Sequence, residues 1–454
     1  MRKNKRVRKI KKSTKRLSSF QIIILGFMTV ILVGALLLML PFASNKDGSA
    51  SFADALFTAT SATCVTGLIT QDTATYWTMF GQVIILILIQ IGGLGVVTIT
   101  AAFAMISGRK IGLFQRSAMQ DSISAPQVGG IVRLTLFAIK ITFAIELIGF
   151  LLLLLPFCRE FGIAKGIWYS LFHSISAFCN AGFDLMGTKE KFSSLTFFAS
   201  NIPVNVVIVL LIIIGGIGFL TWDDIKTHKL KIKKYRMQSK VILLTSGLLI
   251  LLPTIYYYTE FSGPEWNMTV RERIIAAFFQ SVTPRTAGFN TVNLSMLSGG
   301  GMAIMIVLML IGGSPGSTAG GMKTTTAAVL IGSAVSVFRR KKETCFFGRS
   351  ISDETIKNAA VILLMYIVLC LSGAIVISNI ESLPLGECIF ETASAIGTVG
   401  LTLGITPELG IISHSILIIL MFLGRVGGLT VIYAALSGNN TNISKLPQEK
   451  ITVG

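Results

Sequence analysis

Histidine is almost missing from these 454 residues. There are three, His173, His228 and His414. They are too scattered for a metal site, and no Ser/His/Asp set can be assembled around them, so an enzyme is disfavoured. Charge is scarce as well. Only 13% of the residues are charged and 52% are hydrophobic, whereas a soluble domain carries about 25% charged residues. That excludes an ordinary water-soluble globule. Acids are the scarcer sign, 21 against 40 Lys and Arg. The six cysteines have no paired spacing and lie mostly in apolar surroundings, which points to reduced, structural thiols.

Long apolar runs are what the chain does have. Runs near residues 20–40, 77–106, 131–157, 201–222, 237–257, 302–337, 358–380 and 411–436 can each span a hydrocarbon core of about 30 Å, which takes about 20 apolar residues. The first run is too long for a signal peptide. It is followed by "LPFASNKDG" rather than by a small-residue cleavage site, so it reads as a retained span. The net charge of +19 follows topology rather than a nucleic-acid footprint. The N-terminal segment has ten Lys/Arg, and loops 107–133, 223–240 and 338–357 add four, seven and six. The tail adds Lys445 and Lys450. The alternate segments hold Lys46, Arg159, Lys165, Lys189, Lys191, Arg271 and Arg273. The positive-inside rule then places both termini in the cytoplasm. Most acids fall on the other side, where they attract cations within a Debye length of about 8 Å.

One short phrase returns four times. "FTATSATCVTG" ends at Gly67, "FHSISAFCNAG" at Gly182, "FFQSVTPRTAG" at Gly288 and "FETASAIGTVG" at Gly400. These glycines are 115, 106 and 112 residues apart, and an apolar residue follows each: Leu68, Phe183, Phe289, Leu401. Recurrence at this period marks a repeated architecture. Each unit reads as an apolar span, a segment too short to cross, the glycine turn, and a second span with glycines in its middle. The second spans align on "IGGLGVVT", "IGGIGFLT", "IGGSPGST" and "LGRVGGLT". Between its two spans each unit dips into the membrane and returns.

Non-helical backbone at membrane depth is tolerated where it lines water or is buried in protein. Four such turns suggest a pseudo-fourfold ring. A glycine after a short helix is also an ordinary C-cap, but four in register inside membrane hairpins argue for more. Glycine accepts φ > 0, so the turn can aim carbonyl oxygens at a common axis. A ring of carbonyls replaces the hydration shell of a monovalent cation. Each short helix would point its C-terminus, carrying about half a negative charge, at the same axis.

The motifs "TSATCVTGL", "SAFCNAGFD", "SVTPRTAGFNTV", "SAIGTVGLT", "GGSPGSTAGGMKTTT" and "GRVGG" cover almost the whole chain. On them it resembles the membrane subunit of Ktr-type potassium uptake systems, in the Trk/Ktr/HKT superfamily. The resemblance implies an all-α membrane protein with eight transmembrane spans. These form four M1–pore-loop–M2 units in pseudo-fourfold arrangement, like a potassium channel folded from one chain. It implies a selectivity filter made by Val65, Thr66 and Gly67; Asn180, Ala181 and Gly182; Thr286, Ala287 and Gly288; and Thr398, Val399 and Gly400. Glycine in all four loops goes with potassium in this family, and some sodium-favouring relatives carry serine at the position of Gly67. Each loop has one glycine where a potassium channel has two, so a shorter ordered filter is expected. Sodium remains as a candidate activator, and a sodium-selective or sodium-coupled carrier is the alternative reading. The resemblance further implies a homodimer paired with a cytosolic ring that binds nucleotides, in a bacterial plasma membrane. No cofactor is expected in the chain itself. The basic loops 223–240 and 338–357 face either that ring or anionic lipid headgroups.

The sixth run cannot be one regular helix. Gly312, Gly313, Pro315, Gly316, Gly320 and Gly321 lie within ten residues, and in a helix interior Gly costs about 1 kcal/mol and Pro about 3 against Ala. "GSTAGGMKT" is not a phosphate loop, because Met322 separates the last glycine from the lysine and no strand precedes it. In the family this intramembrane loop is regarded as the gate. Ser314, Ser317 and Thr318 would supply hydrogen bonds that hold it closed. A kinked helix packed through small residues is the other reading.

Four basic residues lie at membrane depth. Arg425, within "LIILMFLGRVGGLTVIY", costs at least about 2.5–3.5 kcal/mol on insertion and must face the pore or bind carbonyls. The resemblance places it below the filter against the third unit's loop, as a positive barrier and a donor to that loop's carbonyls. Lys323 either snorkels to the cytoplasm or sets the loop's position. Arg285 is expected to point away from the axis and pair with an acid such as Glu391 or Asp54. Lys140 and Glu146 are expected to pack against neighbouring spans. The organisation is then a basic cytoplasmic N-terminus (1–19), a first unit (20–106), and a second unit with its preceding cytoplasmic loop (107–222). A third unit with its loop and broken second span follows (223–338), then a fourth (339–437) and a cytoplasmic tail (438–454).

Overall fold

The computed structural model describes residues 18–46, 48–107, 111–123, 127 and 129–428. The tail, and all but the last two residues of the basic N-terminal segment, lie outside the described residues.

Four long helices each open a unit: Ser19–Leu38, Ile131–Phe161, Met237–Glu260 and Asp353–Glu381. All four are long and apolar enough to cross a membrane, and only 28–33% of their most apolar windows is buried in protein. The rest is a surface of large apolar side chains, such as Leu147, Leu151, Leu155, Leu248, Leu252, Leu364 and Val368. Water would not tolerate so continuous an apolar face, whereas lipid requires one. The first helix starts sharply because Ser18 and Gln21 form a reciprocal capping box. Ser352 caps the last, with Asp353 and Glu354 in its first turn, where the positive end of the helix favours acids.

After each long helix comes a shorter one: Phe52–Cys64, Ile163–Phe178, Val270–Val282 and Leu385–Gly397. At 13 or 16 residues they extend about 20–24 Å at 1.5 Å per residue, short of the hydrocarbon thickness. Their last turns are buried throughout. They converge in the interior between two apolar clusters. One joins the first two units around Trp77, Phe157, Phe172 and Phe178, and the other joins the last two around Tyr257, Phe261, Tyr366 and Phe390.

The closing spans depart from straight helices. The runs at 77–106 and 201–222 are each two helices, Met79–Leu94 with Val96–Ile106 and Ile202–Ile217 with Phe219–His228, bent by 95° at the break. The hinges are Gly95 (φ 86°) and Gly218 (φ 98°), a region that glycine enters without a Cβ penalty. The sixth run splits into Gly299–Leu310 and Thr324–Phe338. The eighth, Ile411–Val426, stops at Gly427, whose φ of 87° repeats the hinge conformation. Among the described residues, up to six spans can be counted by length and composition if each bent pair is one. A two-stranded antiparallel hairpin, Cys345–Phe346 with Arg349–Ser350, lies within the basic loop 338–357.

Candidate functional site

Each short helix ends in the same backbone pattern. The first residue of the turn is left-handed although none is glycine: Val65 (φ 59°), Asn180 (59°), Thr286 (70°) and Thr398 (51°). The glycine two residues on is left-handed again, at 95°, 70°, 80° and 92° for Gly67, Gly182, Gly288 and Gly400. A left-handed non-glycine residue costs roughly 1–2 kcal/mol. Four in corresponding places mean that the surroundings enforce the shape.

Part of that enforcement is a hydroxyl on the short helix. Ser61 accepts from Thr66 N at its carbonyl (2.8 Å) and from Gly67 N at its Oγ (3.0 Å). Ser394 does the same for Val399 N (2.8 Å) and Gly400 N (3.0 Å). In the second unit the Ser176 carbonyl accepts from Ala181 N, while its Oγ donates to the Phe183 carbonyl at 2.7 Å. Thr283 takes this place in the third unit, donating to the Phe289 carbonyl at 2.5 Å. Sequence reasoning passed over these residues. The signal was there, since Ser61, Ser176 and Ser394 all stand six residues before their glycine. Ser394→Ala should leave the fold intact and cost about 1 kcal/mol of local order. Its expected result is normal protein yield with a lower thermal unfolding midpoint in detergent.

The four turns meet one another in cyclic order. A methyl group built on Gly67 would point at the Ala181 carbonyl oxygen, at 2.5 Å, and at Gly182 Cα, at 3.1 Å. On Gly182 it would meet the Ala287 oxygen at 2.8 Å and Gly288 Cα at 3.0 Å. On Gly288 it would overlap the Val399 oxygen, and on Gly400 the Thr66 oxygen and Gly67 Cα, which closes the circuit. At these separations no side chain fits between the turns. The buried oxygens Thr66 Oγ1, Asn180 Oδ1, Thr286 Oγ1 and Thr398 Oγ1 have no hydrogen-bond partner. A ring of carbonyl oxygens is chemistry for a cation.

The closing spans press on these turns through glycine. A methyl on Gly92, Gly215 or Gly424 would overlap the carbonyl oxygen of Thr63, Phe178 or Ile396, at the end of the neighbouring short helix. The third unit differs, because Gly312 faces the Gly320 oxygen at 2.5 Å instead. Here residues 311–323 leave the helix and fold directly against the turns. Gly312 N donates to the Met322 carbonyl at 2.8 Å, and Ile311 and Met322 form a parallel bridge. Thr318 Oγ1 donates to the Phe178 carbonyl at 3.0 Å and accepts from Asn180 Nδ2 at 3.1 Å. Ser314 N reaches the Gly216 carbonyl at 3.0 Å, and Ser317 Oγ the Ser314 carbonyl at 2.7 Å. Gly320 lies against the Thr398 side chain, and Gly313 against Ala319. Gly316 and Gly321 take φ of 64° and 65°. Beyond the loop lies a cavity of about 250 Å³ lined by Gly95, Asp121, Gly316, Lys323 and Arg425.

Arg425 ties three units together. From the fourth unit's closing helix it donates to the Thr318 carbonyl at 2.5 Å, to Gly93 at 3.3 Å and to Gly92. Lys323 Nζ turns back onto the Ala319 and Gly320 carbonyls at 2.9 and 3.3 Å, so of its two expected positions the structure has the one against the loop. Glu146 is buried beside Gln90 Nε2 (3.3 Å) and Cys179.

Two expectations are corrected. Arg285 pairs with neither Glu391 nor Asp54. Its Nη2 donates to Ser246 Oγ at 3.0 Å. Glu391 is occupied by Thr402, Leu403 and Thr406, and Asp54 by Ser51 and Thr70. Both carboxylates serve chain that follows a glycine turn, whereas Arg285 precedes its glycine and reaches sideways to the long helix of its own unit. Lys140 is exposed on its helix rather than packed against a neighbouring span.

Apolar helices around a set of oxygen-lined turns define a multi-pass membrane transport protein. The family model described as TrkH, cation transport protein, matches residues 4–443. The chain is 41% identical to the potassium/sodium uptake protein NtpJ of Enterococcus hirae over 98% of its own length and 99% of the relative's. It is 38% identical to the Ktr system potassium uptake protein B of Bacillus subtilis, covering 96% of each. The crystal structure of the potassium transporter TrkH from Vibrio parahaemolyticus shares the fold. Its TM-score is 0.74 at 17% identity, over 94% of this chain and 86% of that one. The chain belongs to the TrkH family of cation transport proteins, and it is not an enzyme.

Proposed function

We propose that the protein takes up potassium through a pore whose selectivity filter is the ring of four turns, with eight spans arranged in pseudo-fourfold fashion. The observation that carries this reading is the cyclic closure: each glycine abuts the carbonyl that precedes the next glycine. The filter residues are Val65–Gly67, Asn180–Gly182, Thr286–Gly288 and Thr398–Gly400. Their backbone carbonyls replace water around a dehydrated ion. The ends of the short helices add partial negative charge.

The loop 311–323 is the gate. It lies across the inner end of the ring and is held by Thr318, Ser314, Ser317 and Arg425. Both termini face the cytoplasm, in keeping with the basic loops. A homodimer working with a cytosolic nucleotide-binding ring is the assembly that fits the relatives named for Ktr systems. Potassium is the substrate and no resident cofactor is needed. Sodium is the second ion in this reading, since one relative carries both ions in its name.

Rubidium flux into proteoliposomes containing the purified protein tests the reading. Uptake that potassium suppresses at least about tenfold more effectively than sodium is the expected result, a difference of about 1.4 kcal/mol. Equal suppression by the two ions points to the sodium-carrying alternative. No flux above protein-free vesicles, with and without the cytosolic partner, removes transport.

A further inference from the structure

The side of the molecule that carries the basic loops holds a cavity of about 580 Å³ lined by Arg116, Arg133, Lys140 and Lys226, with Leu136 and Phe137 as apolar wall. No carboxylate is among its lining residues. None of these four cations is in an ion pair with any described acid. A neighbouring cavity shares Arg133 and Lys226 and includes Asp223, but that carboxylate is already paired with Arg236 at 2.9 Å.

A second feature points to the same ligand charge. The helix Ile131–Phe161 begins at this cavity, and Gly130 (φ 78°) leaves it without a side-chain cap. Gly130, Ile131 and Val132 line the cavity, which puts the start of the helix, an end that favours an anion, at its wall. A third feature points to lipid. Lys140 lies nine residues along that helix, about 13 Å from its start. It shares a face with the exposed apolar residues Leu136, Phe143 and Leu147. A lysine there reaches back along the helix toward the headgroup region.

We infer that this cavity binds the phosphate headgroup of an anionic phospholipid, with Arg116, Arg133, Lys140 and Lys226 around the phosphate and an acyl chain along Leu136 and Phe143. Charge complementarity and the lipid-facing apolar wall select lipid over a soluble anion. The site is separate from the glycine ring and goes beyond the transport reading.

Native mass spectrometry of the full-length protein, released from nanodiscs of mixed phosphatidylglycerol and phosphatidylcholine, tests it. The wild type should retain phosphatidylglycerol in preference to phosphatidylcholine. In the R133Q/K140Q/K226Q variant that preference should fall at least about tenfold. A control variant, K229Q/K231Q/K234Q, removes three charges from the same face outside the cavity and should keep the preference. Equal loss in both variants, or none in the first, overturns the site. Displacement of the lipid by millimolar inorganic phosphate would identify a soluble-anion site and overturn the lipid assignment. So would a preference that appears only when the cytosolic partner is bound. Thermal unfolding of each variant in detergent separates loss of the site from loss of the fold.

Discussion

Arg425→Ala should raise potassium uptake about tenfold at matched expression. The guanidinium holds the loop 311–323, the proposed gate, through the Thr318 carbonyl and anchors it to the first unit through Gly92 and Gly93. A hydrogen bond to a charged group contributes about 1.5–3 kcal/mol, and about 1.4 kcal/mol is a factor of ten in a rate or population. If the loop gates as proposed, losing the Thr318 contact alone should therefore favour its release by about an order of magnitude. On the proposed conduction path, removing the cation should also lower the electrostatic barrier to a passing potassium ion. The fold should survive, because Arg425 lines the inner cavity and water there can satisfy the carbonyls it leaves. Arg425→Lys keeps the charge but loses the planar fork, so its uptake should lie between the two. Rubidium flux in proteoliposomes, with protein quantified in the vesicles, checks both variants. Wild-type flux in the alanine variant would refute the gating role.

Gly288→Ser has the largest expected effect in the opposite direction. Gly288 takes φ of 80°, where a side chain costs roughly 1–2 kcal/mol in backbone strain alone. A Cβ there would also overlap the Val399 oxygen and approach Gly182 Cα at 3.1 Å and Gly400 Cα at 3.3 Å. Three of the four turns must shift to admit it. Potassium flux should fall about 100-fold, which corresponds to about 2.8 kcal/mol. Gly67→Ser should be milder, because the three nearest atoms to its Cβ all belong to one turn, the Ala181 oxygen and Gly182. Here flux should persist in part while preference for potassium over sodium declines. Rubidium uptake with sodium and potassium as competitors reads both effects. An unchanged ion preference in both variants would mean that the ring does not select.

Much of the fold was legible because membranes impose local rules. A span must be apolar along its length, so the eight runs stand out of the text without any knowledge of their neighbours. The four glycine turns were legible for a related reason. Each is a short helix end whose chemistry sits within about ten residues, and the copies share one register. The broken sixth run was equally plain, since Gly and Pro oppose helix wherever they fall. Other features were not visible. Val65, Thr286 and Thr398 are β-branched, and nothing local favours a left-handed φ for such residues. Gly95 and Gly218 read as glycines within a helix, and the 95° bend at each comes from what packs around it. Arg285 was assigned the wrong partner because sequence shows how many carboxylates exist, not which are already bonded.

What the sequence determined by itself is therefore the repeated unit: a long apolar helix, a short one, a glycine turn and a closing span with glycines in its middle. Those are consequences of side-chain chemistry and backbone freedom at each position. The tertiary structure decided which parts of the four units touch. Arg425 finds its acceptors 107 and 333 residues away, and all of them are backbone carbonyls. Every residue carries a carbonyl, so no letter marks Thr318, Gly92 or Gly93 as the partner. Only the packing of one unit against the next selects them.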